Sequence, residues 1–152
     1  ITIVSFHGGA EGTEHVRVPK KAEIFYGENR GDVHHFARSV VDAGADIVLG
    51  HGPHVTRAVE VYKNKFIAYS LGNFNTYGRF SLTGDKGIAP LLDIKLKSNG
   101  DFLSAKVVSV KQTKEKGLEL DAENRAFQRI KQLTKLDFPE QNLKFEENTI
   151  KL

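Results

Sequence analysis

The chain has 152 residues, no cysteine, and a formal net charge of +3 from 22 basic and 19 acidic side chains. Its length suits one domain with a sizeable core, and the absence of cysteine excludes disulfides, thiolate metal ligands and a cysteine nucleophile. No apolar stretch approaches the ~20 residues of a membrane-spanning helix, and the basic residues are scattered rather than gathered into a nucleic-acid-binding stripe, so neither a membrane span nor a nucleic-acid partner is expected.

The sequence opens on Ile1 and contains neither methionine nor tryptophan, which suggests a piece of a longer polypeptide. Ile1 to Phe6 is rich in β-branched and apolar residues and predicts a strand buried on both faces; His7-Gly8-Gly9 ends it. Glu11 to Asn29 is mixed and polar and predicts a long loop, a length at which loops often carry function. Asp32 can cap a helix whose apolar residues Val33, Phe36, Ala37, Val40 and Val41 follow helical spacing, with Gly44 as its stop.

Ala45 to Leu49 predicts a second buried strand, running into Gly50-His51-Gly52-Pro53-His54. Strand, loop, helix and strand in this order suggest a βαβ unit with parallel strands. Ligands in such sheets sit beyond the carboxyl ends of the strands, where both His7 and His51 fall. Ala58 to Tyr62 and Phe66 to Leu71 read as a hairpin around Lys63-Asn64-Lys65, and the second arm runs into Gly72-Asn73-Phe74. Pro90 to Leu96 and Phe102 to Val110 form another around Ser98-Asn99-Gly100-Asp101, whose Asn-Gly step is a strong turn signal. Residues 122–136 predict an amphipathic helix with Phe127, Ile130 and Leu133 inward. The polar tail after Pro139 is expected to pack loosely.

Imidazole is the commonest metal ligand, and a divalent ion needs several ligands brought together by rigid elements. His7, His51 and His54 all lie at predicted strand ends, and Pro53 stiffens the turn between the last two. A bare His-x-x-His outside a helix is also compatible with an ordinary turn. His34 and His35, just after the helix cap, read as solvated or half-packed. Glu11 reads either as a metal ligand or histidine-orienting carboxylate, or as a solvated loop residue. Arg30, beside the helix start, reads as a clamp for phosphate or carboxylate or as part of an exposed turn. Asn73 is an oxygen ligand or hydrogen-bonding group, or simply a turn residue.

His7-Gly8-Gly9-Ala10-Glu11, the run Asp42-Ala43-Gly44-Ala45-Asp46-Ile47-Val48-Leu49-Gly50-His51-Gly52-Pro53-His54-Val55, and Tyr69-Ser70-Leu71-Gly72-Asn73-Phe74 together resemble the capsule-synthesis CapA family of the calcineurin-like metallophosphatase superfamily. The resemblance covers residues 1–97; 98–152 would add the last hairpin strand, a helix and a tail to the same domain. It implies an α/β fold, part of a metallophosphatase-like αββα sandwich with a mixed sheet, a βαβ unit and C-terminal hairpins. It implies His7, His51 and His54 as ligands of one or two divalent ions such as Mn, Zn or Fe, with Glu11 and Asn73 at matching motif positions.

The same resemblance implies a role in making or exporting an anionic envelope polymer such as poly-γ-glutamate, at an extracytoplasmic or envelope location. The chain departs from the family at Gly8, where an aromatic residue is usual, and at Gly52, where a further histidine is usual. The superfamily's opening Asp-x-His, bridging aspartate and Asn-His motifs are absent, and Asp85 comes too late in the chain to replace them. Three functions follow: the C-terminal part of a metal-dependent phosphoesterase-like enzyme completed by an N-terminal portion of the same polypeptide, a non-catalytic envelope protein binding an anionic polymer or a synthase partner, or a plain α/β domain. No residue is singled out as catalytic.

Overall fold

The computed structural model describes residues 1–78 and 80–152. Strand β1 (Ile3–His7) is followed by a short 3₁₀ turn, by the hairpin β2 (Ile24–Phe25) and β3 (Glu28–Asn29), and by helix α1 (Val33–Asp42). Next come β4 (Ile47–His51), β5 (Val59–Tyr62), β6 (Lys65–Ala68), β7 (Ile88–Leu96), β8 (Phe102–Thr113) and β9 (Gly117–Leu120). Helix α2 (Arg125–Asp137) and the hairpin β10 (Lys144–Glu146) and β11 (Thr149–Lys151) complete the chain. One sheet has the order β1-β4-β6-β5; the other runs β10-β11-β8-β7 with β9 also on β8.

The βαβ unit is present, with β1 parallel to β4 and β4 parallel to β6. Asp32 caps α1 by accepting from the His35 backbone N–H at 2.9 Å, satisfying one of the donors a helix start leaves open. Val33, Ala37 and Val41 of α1 pack on Val48, Ile67 and Tyr69. The other face of the same sheet, with Ile47, Phe66 and Ala68, packs on Phe102, Ala105 and Val107 of β8 and on Phe127 and Ile130 of α2. The central strands β4 and β6 are therefore covered on both sides, which explains their near-continuous apolar sequence.

Four expectations are corrected. Among the described residues β1 is an edge strand, bonded only to β4, and it alternates between exposed and half-buried residues; an apolar run reads as fully buried only when it has neighbours on both sides. Phe36 is exposed and meets Phe6 at a ring separation of 5.2 Å rather than entering the core. The 11–29 segment contains the β2–β3 hairpin, closed by Tyr26 and Gly27, both at positive φ. The C-terminal tail is not loose: β11 pairs with β8 and buries Ile150 completely. Leu91, Asp93 and Lys95 are exposed on the outer face of β7, and the whole is an α/β fold with mixed sheets.

Candidate metal and anion site

The parallel register of β1 and β4 sets His7 directly beside His51. Side chains alternate along a strand, so both imidazoles share the sheet face of Ile47 and Leu49, the face turned toward the second sheet. His7 is exposed and His51 half-buried. Burial, followed by the neighbouring His7, holds the His51 imidazole below its ordinary pKa and favours its neutral, lone-pair-bearing form.

Beyond these strand ends the two glycine-containing turns lock together. Gly8 N–H donates to the His51 carbonyl at 2.8 Å, and Gly12 N–H to that of Pro53 at 2.9 Å. Gly52 has φ 121°, and a Cβ there would lie 2.7 Å from the Gly8 carbonyl oxygen. The departure at residue 52 therefore has a local cause: no side chain fits between these turns without displacing backbone.

His54, at φ 58°, turns its ring to Asn73, with Nδ1 and Oδ1 2.8 Å apart. Asn73 Nδ2 faces the carbonyls of Lys86 at 3.1 Å and His54 at 3.4 Å. That assigns the Asn73 oxygen to the ring, so Nδ1 carries the proton and Nε2 of a neutral His54 keeps its lone pair. Nε2 faces Glu11 Oε2 at 3.9 Å, beyond hydrogen-bonding distance.

Glu11 thus sits by His54, while its other oxygen takes Arg30 at 3.1 Å. Arg30 also reaches Glu28 at 3.0 Å. Two carboxylates therefore share its guanidinium, while its buried Nε has no hydrogen-bond partner among the described residues. Sequence reasoning did not find the pair beneath this loop. Arg57, fully buried, donates to both oxygens of Glu23 at 2.9 and 2.8 Å, to the Ala10 carbonyl at 3.1 Å and to the His15 carbonyl at 2.8 Å. Glu23 in turn accepts from the Ala10 N–H at 2.9 Å. Together they fix the loop that carries Glu11 to the strand after His54.

The donors therefore form two pairs, His7 with His51 and His54 with Glu11. Among the described residues no three His, Asp or Glu side chains are close enough to hold a metal ion. His34 lies elsewhere, half-buried and stacked on Tyr69 and Phe138, while His35 is exposed.

A family profile described as bacterial capsule synthesis protein PGA_cap matches residues 1–77, a stretch that contains His7, Glu11, Arg30, His51, His54 and Asn73. Over 64 residues, 42% of this chain and 15% of the relative, the sequence is 45% identical to the capsule biosynthesis protein CapA of Bacillus anthracis. Over 64 residues, again 42% of this chain and 16% of the relative, it is 47% identical to the PGA biosynthesis protein CapA of Bacillus subtilis. A probable polyglutamine synthesis accessory protein of Mycobacterium tuberculosis is 37% identical over 73 residues, 48% of this chain and 16% of the relative. The matched part of this chain spans only about 15% of the length of the first of these relatives.

Proposed function

The chain belongs to the bacterial capsule synthesis family PGA_cap, and from that membership we propose that it acts in making an anionic envelope polymer, contributing part of a divalent-cation site. His7, His51 and His54 would be the ligands, with Glu11 beside them and Asn73 orienting His54. The remaining donors would come from outside this chain, such as an N-terminal portion of the same polypeptide. The observation that carries this reading is the anchoring of His54: its Nδ1 is engaged by Asn73 and its Nε2 looks across a gap at Glu11. Imidazole ligands are commonly held in this way, through the ring nitrogen that does not bind the metal. The fixed His7–His51 register and the lowered pKa of His51 add support.

A metal in such a site would supply Lewis acidity toward a phosphoryl or carboxyl oxygen. What this chain's own groups do is narrower. They present imidazoles at one rim of the sheet, and they hold Glu11 near His54 through the Arg57–Glu23 pair. Family membership supports a place at the cell envelope; among the described residues no helix is long and apolar enough to cross a membrane.

Calorimetric titration of the chain with Mn²⁺ and Zn²⁺ near neutral pH tests the reading. One weak binding event is expected, lost in His51→Ala and in His54→Ala. No binding, or binding indifferent to both substitutions, overturns it. That no three His, Asp or Glu side chains come together among the described residues favours one second reading, a non-catalytic protein that binds the polymer or a synthase partner; polyglutamate affinity unaffected by chelator would select it.

A further inference from the structure

Asn73 holds the His54 ring, and Asn73 is itself buried between two backbone segments. On one side its Nδ2 donates to the Lys86 carbonyl at 3.1 Å, just before β7. On the other, a little further along the chain, stands Thr76, outside the named strands and helices. No ladder fixes the backbone groups of Thr76. A side chain from the second sheet does so instead.

Gln112, near the end of β8, is only 6% exposed. Its Oε1 accepts from the Thr76 N–H at 2.9 Å and from the Thr76 hydroxyl at 3.2 Å. Its Nε2 donates to the Thr76 carbonyl at 2.6 Å and to Asn75 Oδ1 at 3.4 Å. A backbone N–H can only donate and a carbonyl only accept, so these partners fix which way the amide points. The hydrogen-bonding capacity of this amide is taken up by one loop. The Gln112 backbone supports the other segment. β7 begins at Ile88, opposite Lys111, and a Cβ on Gly87 would lie 3.2 Å from the Gln112 carbonyl oxygen. One residue of β8 therefore backs both segments that hold Asn73. An apolar side chain could fill the same buried place without the desolvation an amide costs, so the amide calls for a reason beyond filling space.

We propose that Gln112 is a positioning residue for the candidate cation site: by fixing Thr76 and backing Gly87 it sets Asn73, and through Asn73 the tautomer and direction of the His54 ring. Its functional meaning rests on the reading of His54 as a ligand; the positioning itself belongs to the metal-free chain. It puts a determinant of the site in β8, outside the residues 1–77 that the family profile matches.

The test is ¹⁵N NMR of the His54 ring in the metal-free chain at about pH 8.5, where imidazole is neutral, because protonated and bare ring nitrogens give separate signals. In the parent chain the Nδ1–H form should predominate. Gln112→Met keeps the length of the side chain without its amide and should populate the Nε2–H form, as should Asn73→Ala. Gln141→Met controls for general loosening. Gln141 Oε1 accepts from the Val61 N–H at 2.9 Å in β5, at the opposite edge of the sheet from β1, and its loss should leave the His54 signals unchanged. Calorimetric Zn²⁺ affinity should fall about tenfold in Gln112→Met, the low end for residues that orient a ligand, and stay unchanged in Gln141→Met. Should thermal melting show Gln112→Met unfolded, Gln112→Glu decides: it keeps the acceptor for the Thr76 N–H, loses the donor to the Thr76 carbonyl, and should shift the tautomer in the same direction. An unaltered tautomer in a folded Gln112 variant, the same change in Gln141→Met, or failure of both Gln112 variants to fold overturns the proposal. A shifted tautomer in a chain whose parent binds no Zn²⁺ upholds the positioning and overturns the cation reading instead.

Discussion

Replacing Gly50 by alanine tests how the candidate site is mounted on the sheet. Gly50 lies in β4 between β1 and β6, and its backbone is not in the left-handed region, so the effect of the methyl is one of space. An alanine Cβ would sit 2.3 Å from the Tyr69 carbonyl oxygen, 2.7 Å from its carbon and 2.8 Å from the Phe6 ring. Ordinary contact begins near 3.4 Å, so backbone must move by about 1 Å in an interior with little free volume. Movement of that size strains the Leu71 N–H to Gly50 carbonyl bond, now 3.1 Å. Overpacking costs about 1–3 kcal/mol, and a clash with backbone belongs at the upper end, about 3 kcal/mol. For a chain of this length that lowers Tm by roughly 6–12 °C. Urea unfolding and thermal melting followed by circular dichroism give both quantities. Gly31→Ala is the comparison, since its φ is 85° but nothing lies within 4 Å of the added methyl; its cost should be backbone strain alone, about 1–2 kcal/mol. A loss for Gly50→Ala below about 0.5 kcal/mol, the scale of ordinary surface substitutions, or one smaller than that of Gly31→Ala, would refute the packing argument.

Removing one member of the buried Arg57–Glu23 pair, by Arg57→Met or Glu23→Gln, should cost about 3–5 kcal/mol, because the partner is left uncompensated. The double replacement Arg57→Met with Glu23→Leu should cost less than the sum of the single changes, as a double-mutant cycle in urea would reveal. Asn73→Ala should leave the fold intact, since the side chain secures mainly the His54 ring and two carbonyls, and should weaken metal binding about 10–100-fold in the calorimetric assay. His34 is held below its ordinary pKa by burial first and then by the Arg38 charge, against a smaller opposing effect of Glu60. Its folded pKa thus lies below the unfolded value near 6.5, so its contribution is complete above that pH and is lost as pH falls below it. His34→Phe, which keeps an aromatic ring against Tyr69 and Phe138, should flatten the decline in unfolding free energy as pH falls below about 6.5 relative to the parent chain.

The parts of the fold legible in the sequence are those whose cause is local. The spacing of Val33, Ala37 and Val41 after Asp32 is enough to specify α1 and its buried face, and the Asn99-Gly100 step marks the turn between β7 and β8. What escaped depends on neighbours that a one-dimensional pattern does not contain. Ile1 to Phe6 has the composition of an interior strand, but among the described residues only β4 pairs with it. The β10–β11 hairpin consists of three-residue strands, too short for alternation to stand out, although Phe145 and Ile150 face each other across a turn whose Glu147 and Asn148 both have positive φ.

The site divides along the same line. His7 and His51 could be brought together from the sequence because strand ends joined by a right-handed crossover converge. The position of Glu11 could not, because it follows His7 closely in the chain yet sits by His54. What puts it there is the pair formed by Arg57 and Glu23, 34 residues apart, which holds the backbone of Ala10 from both sides. A charged pair with no exposed surface is costly to desolvate, and apolar residues of similar size would often be at least as stable. Two charges at this point do what apolar packing cannot: they fix the direction of backbone N–H and C=O groups in a loop that has no ladder to fix them. Arg30 illustrates the same limit. Its residue type and place beside the helix start suited an anion clamp and an exposed turn alike, and its pairing with Glu11, 19 residues away, depends on a loop path that no local pattern carries.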